Sequence, residues 1–210
     1  MTTTGINFDA IVKPMEGWCT PEKAQRLFNL VIESDSKISV ELGVFGGRSL
    51  VPIGLGHKKK GSGFVIGIDA WNNKVCIEGT NDQANNDWWL SLDMKIIYAS
   101  CQRHIELNEL EGFCDTLRIR STDVAILFPN ESIDLLHQDS NHNAETIIAE
   151  LKLWIPKVKI GGYWIADDTD WKEAKDGYSH LSDFGLELLE TYTTEKGQWQ
   201  VWKKVKNNLL

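Results

Sequence analysis

Three carboxylates gather where two apolar runs end. Ile133–Gln138 leads into Asp139-Ser140-Asn141-His142, and Tyr163–Ala166 leads into Asp167-Asp168-Thr169-Asp170. Acids converging in this way repel one another unless a proton or a cation intervenes, and hard oxygen donors with room for water suit Mg2+ or Mn2+. Asp139, Asp167 and Asp168 are therefore candidate metal ligands. The competing reading is that one or two of them cap the helices that follow, since Asp is a favoured N-cap and Asp170 directly precedes Trp171. His137, inside the first run, reads as a packed or hydrogen-bonded core histidine.

A second group of residues suits a nucleoside. Ile38–Leu50, ISVELGVFGGRSL, is a strand that ends in a glycine turn and opens a helix, with Gly43, Gly46, Gly47 and Ser49 at the bend. Glycines there let backbone approach a ligand, and the helix start offers free N–H groups. The next strand, GFVIGIDAW, carries Asp69 at its carboxyl end, where an acid can accept bonds from both ribose hydroxyls. A dinucleotide enzyme would show G-x-G-x-x-G for a diphosphate. This chain instead puts Glu41 ahead of the first glycine, which suits a cationic or amino-bearing ligand.

The elements that must position these residues alternate strand and helix, as in a parallel sheet covered on both faces. Strands are expected at Ile38–Leu42, Phe64–Asp69, Leu117–Ser121, Ile133–Gln138 and Tyr163–Ala166. Helices are expected from Thr20-Pro21, with Ala24, Leu27, Phe28 and Val31 on one face, and at Asp87–Glu109, Ala144–Trp154 and Trp171–Ser182. Lys157–Gly162 reads as a turn. Leu186–Thr193 and Gln198–Val205 alternate like a hairpin around Lys196-Gly197. The polar stretch Trp71–Asp87, followed at once by Trp88 and Trp89, is long enough for a lid. A single domain over 1–210 is expected, with 1–36 as a helical cover and 71–90 as the lid.

Composition narrows the function classes. With 42% hydrophobic and 25% charged residues, 210 residues can bury one α/β core. A net charge of -8 argues against a nucleic-acid binder, which would show a basic patch. No apolar run reaches the ~18 residues of a membrane span, and the amino-terminal stretch MTTTGINFDAIVKP lacks the features of a signal peptide, so a cytoplasmic location is expected. Cys19, Cys76, Cys101 and Cys114 form no CxxC pair and read as free thiols.

Taken together, ELGVFGGRS, GIDAW, NDWW, LLHQDSNH and GGYWIADDTDW resemble the class I S-adenosylmethionine-dependent methyltransferases. The closer likeness is to the subgroup of macrolide-sugar O-methyltransferases and cephalosporin-hydroxylase-type proteins. The resemblance runs from about Ile38 to Trp171. It implies a doubly wound, mostly parallel seven-stranded α/β sheet, the Rossmann-like methyltransferase fold, with an antiparallel C-terminal hairpin. S-adenosylmethionine, which bears an ammonium, a sulfonium and no phosphate, would then lie over Gly43–Gly46 with its ribose on Asp69 and its adenine near Ser121 to Asp123. Glu41, Ser49 and Asp139 complete the expected cofactor set. The glycine turn departs from the common class I pattern, carrying Val44-Phe45 where a third glycine is usual.

The likeness to catechol-type enzymes implies that Asp139 and Asp167-Asp168 bind Mg2+ or Mn2+ and that His142, three residues after the first acid, is the general base. The expected reaction is metal-assisted O-methylation of a small-molecule hydroxyl, a sugar first and a catechol-like acceptor second, without nucleic acid or membrane and with a homo-oligomer allowed. A metal-independent methyltransferase, an NAD-type oxidoreductase and a nucleoside-binding protein without transfer activity are the alternatives.

Overall fold

The structure is a computed structural model that describes residues 5–80 and 82–208. The start of the amino-terminal stretch and residue 81 of the expected lid lie outside the described residues. The chain opens with α1 (Phe8–Val12) and α2 (Pro21–Glu33), then β1 (Ile38–Leu42), α3 (Leu50–Lys60) and β2 (Phe64–Asp69). Three helices follow, α4 (Asn73–Cys76), α5 (Gln83–Ser91) and α6 (Met94–Leu107), before β3 (Cys114–Arg118) and α7 (Ser121–Val124). The second half runs β4 (Ile133–Gln138), α8 (Ala144–Trp154), β5 (Val158–Ala166), α9 (Lys172–Tyr178), β6 (Leu186–Thr194) and β7 (Gly197–Lys204).

Seven strands form one sheet in the order β3-β2-β1-β4-β5-β7-β6. The first five are parallel, and β7 runs antiparallel to both β5 and β6, which gives the doubly wound sheet with its closing hairpin. Because strand side chains alternate, β1 sends Val40 and Leu42 to one face and Ser39 and Glu41 to the other. The first face packs under α8 and α9 through Ile147, Leu151, Trp154, Ala174 and Tyr178. The second packs under α1, α2, α3 and α6 through Phe8, Leu27, Phe28, Val51, Ile97 and Cys101.

Three expectations are corrected. β3 lies three residues earlier than Leu117–Ser121, an edge strand of which only Cys114 is buried and whose alternation is therefore weak. Lys157–Gly162 is mostly strand: β5 begins at Val158, and Gly161, at φ +86°, sits where the β4–β5 register jumps between Ile133 and Leu135, as a bulge glycine does. The helix expected over Asp87–Glu109 is two helices. Leu92 is extended, and Asp93 caps α6 by accepting from the Lys95 and Ile96 N–H groups.

On the α3 side, the buried Ser39 hydroxyl lies 2.9 Å from His57 Nε2 and 3.0 Å from Ser36 Oγ. Burial lowers the His57 pKa to about 4. The unfolded chain takes up this proton below about pH 6.5, whereas the folded chain resists it down to about pH 4. Stability is therefore lost as pH falls through that window, by on the order of 3 kcal/mol for a depression of this size. Denaturant titrations from pH 7 to pH 4 should show this loss in the wild type in excess of that in His57→Gln; equal losses would remove His57 as its source.

Candidate active site at the β1–β4 crevice

Strand order reverses between β1 and β4, and open α/β sheets bind ligands outside the carboxyl ends of their strands at such a switch point. Gly43 makes the crevice possible. At φ +80°, a Cβ on this residue would stand 2.0 Å from the Asp139 carbonyl oxygen, so only glycine lets the end of β1 abut the end of β4. Asp139 in turn donates its N–H to the Leu42 carbonyl at 2.8 Å. The close approach that the glycines serve is thus to neighbouring protein backbone. Gly46 is packed the same way, 2.3 Å from the Glu16 carbonyl oxygen if it carried a Cβ, and it does not line the cavity.

The cavity, about 660 Å³, is lined at one end by Gly43, Val44, Ser49, Asp69, Ser121 and Glu150. Asp69 ties the turn down. Its Oδ2 accepts the Val44 and Phe45 N–H groups, both at 2.9 Å, and its Oδ1 accepts the Trp71 N–H at 2.7 Å. Burial raises the Asp69 pKa, opposed by these three donors and by Arg118. A carboxylate offers about four lone-pair sites, so acceptor capacity remains on Oδ1 for a ligand hydroxyl. Trp71 closes the loop by donating its Nε1–H to the Phe45 carbonyl at 2.9 Å. Ser121 donates its hydroxyl to Glu150, a buried acid that also accepts from Gln138 Nε2 and Ser140 Oγ at 2.6 Å each.

At the other end the period-2 rule collects the charged groups. Glu41 pairs in register with His137, and Glu41, His137, Asp139 and Asp167 all fall on the α2 side of the sheet. His137 Nδ1 lies 2.7 Å from Glu41 Oε1, and its Nε2 lies 3.6 Å from Asp167 Oδ2. Burial and the Lys23 ammonium work against charge on this ring, but the Asp167 and Glu41 carboxylates outweigh them and lift its pKa to about 9. Glu41 is fully buried and does not line the cavity; its Oε1 is engaged by His137. Asp167 is held by the ammonium of Lys23, which α2 delivers into the same layer. That contact keeps the Asp167 pKa well below the usual range even though burial alone would raise it.

Asp139, His142 and Asp168 line the cavity. His142 Nε2 stands 3.1 Å from Asp168 Oδ2 and 3.9 Å from Asp139 Oδ1, with the Trp171 ring 5.0 Å away. Its alignment leaves Nε2 without a hydrogen bond among the described residues. Burial, then the Asp167 carboxylate, raises Asp139 to about 7 and Asp168 to about 6. Asp168 sits at φ +50°, in the sparsely populated left-handed region. The β6–β7 hairpin supports this turn, since Gln198 donates its N–H to Asp170 Oδ1 at 2.9 Å and accepts from the Thr169 N–H at 2.9 Å. Asp170 therefore ties the turn to the hairpin and does not cap α9, whose N-cap residue is Trp171.

Two sets of side chains have the composition and closeness to hold a metal ion: His137, Asp139 and Asp167, and Asp139, His142 and Asp168. In each, one ligand atom per residue lies within 4.8 Å of the others. The carboxylate oxygens of either set suit Mg2+ or Mn2+, whereas an imidazole nitrogen is a donor preferred by softer ions such as zinc. An aromatic group roofs the cavity: Trp18 stacks on Phe45 at 5.4 Å, and Trp88 and Trp89 of α5 pack against both.

Lys23 and Glu150 were not foreseen. A usable signal existed for each, because helical periodicity puts Lys23 on the stripe of Leu27 and Leu30, and Glu150 on the stripe of Ile147, Leu151 and Trp154. A charge on an apolar stripe is buried and therefore paired.

Residues 40–169 match the sequence model of a methyltransferase domain. No curated protein sequence matches the chain. Among solved structures, cofactor-bound Rv0187 from MTB superposes with a TM-score of 0.70 at 13% identity, covering 98% of this chain and 94% of that one. The O-methyltransferase TomG from Streptomyces achromogenes, involved in tomaymycin synthesis and solved with SAM, gives 0.65 at 12% identity over 89% and 81%. An O-methyltransferase from Bacillus cereus, solved with SAH, gives 0.66 at 14% identity over 95% and 90%. At these identities the likeness is one of fold.

Proposed function

The chain belongs to the methyltransferase-domain family of class I S-adenosylmethionine-dependent enzymes, and we propose that it methylates a hydroxyl oxygen of a small molecule with the help of Mg2+ or Mn2+. One observation supports this reading: a single cavity at the switch point is lined both by Asp69 and Ser121, which suit a nucleoside, and by Asp139, His142 and Asp168, which suit proton removal. A methyl group on a sulfonium arrives already activated, so the protein's task is placement and proton removal.

Asp69 takes the ribose hydroxyls on its remaining acceptor sites, and Ser121 and Ser49 line the rest of the donor's bed. Asp139 and Asp168 would hold the divalent ion, which usually keeps several waters and needs only one or two carboxylates; it would lower the pKa of the acceptor hydroxyl. His142, beside both acids, takes the hydroxyl proton. The aromatic roof of Trp18, Phe45, Trp88 and Trp89 offers flat apolar faces to an acceptor and keeps bulk water out.

The Lys23–Asp167 contact favours a second reading, a metal-independent methyltransferase in which the lysine supplies the positive charge that the acids require. Turnover measured as S-adenosylhomocysteine release across a panel of sugar and catechol hydroxyls should cease in EDTA and return with Mg2+ or Mn2+, and Asp168→Ala should mimic the chelator. Full activity in EDTA would favour the lysine reading. Binding of S-adenosylhomocysteine with no turnover on any acceptor would favour a binding protein.

The 71–90 segment serves as a lid in this proposal. It is latched at three points: Trp71 on Phe45, Glu78 on Arg120 and Asn141, and Trp88 and Trp89 on Trp18. S-adenosylhomocysteine should slow proteolysis within this segment several-fold. Equal cleavage with and without ligand would make it a fixed wall.

A further inference from the structure

Asp139, Asp167 and Asp168 line the cavity while Glu41 is buried against His137, and only one lysine contacts these acids among the described residues. Lys23 enters from the first turn of α2, which Thr20 and Pro21 fix in place: the Thr20 hydroxyl caps the helix by accepting the Lys23 N–H. Its ammonium contacts Asp167, lies 5.8 Å from the Trp199 ring centre, and is nearly excluded from solvent, at 5% residue exposure. Burial of a lysine costs free energy that a matching charge offsets, and Asp167 supplies that charge here. Its contact atom, Asp167 Oδ2, is the same atom that faces His137 Nε2, a fully buried nitrogen left without a hydrogen bond.

The two potential metal groups share Asp139 but differ in what already occupies them. In the His137–Asp139–Asp167 group, the Asp167 oxygen that faces His137 Nε2 is the one the Lys23 ammonium already covers, so a divalent ion there would compete with a fixed positive charge. Every member of the Asp139–His142–Asp168 group lines the cavity, as Asp167 and Lys23 also do but His137 does not, and no lysine or arginine contacts its carboxylates among the described residues.

Building on the metal-assisted reading above, we infer that Lys23 is a resident cation. It fills the inner subsite, removes Asp167 from the ligand set, and confines any divalent ion to the outer subsite between Asp139 and Asp168, beside His142. This departs from the expectation that all three aspartates bind metal. Lys23 acts as a positioning residue: it decides where the ion, and with it the acceptor oxygen, stands relative to the methyl group.

The test is direct Mn2+ binding, followed by electron paramagnetic resonance on the whole chain without acceptor, so that it does not depend on turnover. Lys23→Met, which keeps an unbranched side chain one atom shorter and removes its charge, should bind Mn2+ at least tenfold more tightly, because Asp167 becomes free to ligate. The double variant Lys23→Met with Asp167→Asn should lose that gain. Asp167→Asn alone should leave Mn2+ affinity within twofold of wild type, and this arm stands even if Lys23→Met does not fold. Unchanged or weaker binding in folded Lys23→Met, or a tenfold loss in Asp167→Asn, overturns the inference. If the wild type binds no Mn2+ but Lys23→Met does, the inference stands and the metal-assisted reading fails, since the lysine then meets the whole need for positive charge.

Discussion

Replacing His142 by alanine lowers kcat by about 10²- to 10⁴-fold, the usual contribution of a positioned general base, while the affinity for S-adenosylhomocysteine changes little. The split follows from geometry. The His142 ring stands with Asp139 and Asp168, whereas Asp69, the proposed ribose ligand, contacts the glycine turn and Trp71. Trp171 beside the ring and the two carboxylates fix its orientation, so its removal takes away the proton acceptor without opening the sheet. His142→Gln, which can hydrogen-bond but cannot accept the proton, should be as slow as alanine. The competing account makes His142 merely the residue that leads into α8, yet Asn143 fills that role by accepting the Glu145 and Thr146 N–H groups. Single-turnover rates at saturating donor decide between them. Near-normal turnover in both variants would leave proton removal to another group.

How much of this was legible in the sequence depended on whether a local signal coincided with the tertiary one. β1, β2, β4 and α8 begin and end as expected, because their apolar residues stop at an acid, a glycine or a capping residue that is also where the structure turns. The start of β5 was hidden, since Gly161-Gly162 carries the composition of a turn but serves a bulge within the strand. The break before α6 was hidden for the converse reason, as Leu92-Asp93 interrupts an otherwise helical pattern by one capping side chain. At the site, the strand-end acids were visible because they follow apolar runs. The partners that neutralise them were not, since Lys23 lies well over a hundred residues from Asp167 in sequence and nothing local ties the two. Glu41 shows the same limit. Its place before the first glycine suggested a ligand contact, whereas parallel pairing with β4 puts it against His137.

Asp69→Ala should weaken donor binding by tenfold or more and also lower the melting temperature, two effects that a purely ligand-facing acid would not combine. Charge-assisted hydrogen bonds are worth about 1.5–3 kcal/mol each, so losing even one ribose bond accounts for the affinity change. The stability change comes from the protein side. Alanine leaves the Val44, Phe45 and Trp71 N–H groups without the carboxylate that now accepts all three, and each unsatisfied buried donor costs about 1–3 kcal/mol unless water reaches it. For a chain of this size each kcal/mol corresponds to roughly 2–4 °C. Phe45, at φ +50°, would be the first residue to relax, and its ring would leave the stack with Trp18. Asp69→Asn separates the two roles. Its carbonyl oxygen can still accept from the turn, so it should recover most of the melting temperature while remaining weak for the donor, because the charge and one acceptor oxygen are gone. Calorimetric titration with S-adenosylhomocysteine and thermal melts of the two variants measure both effects. Wild-type affinity in Asp69→Asn would mean that the ribose is held elsewhere and that Asp69 serves only to shape the turn.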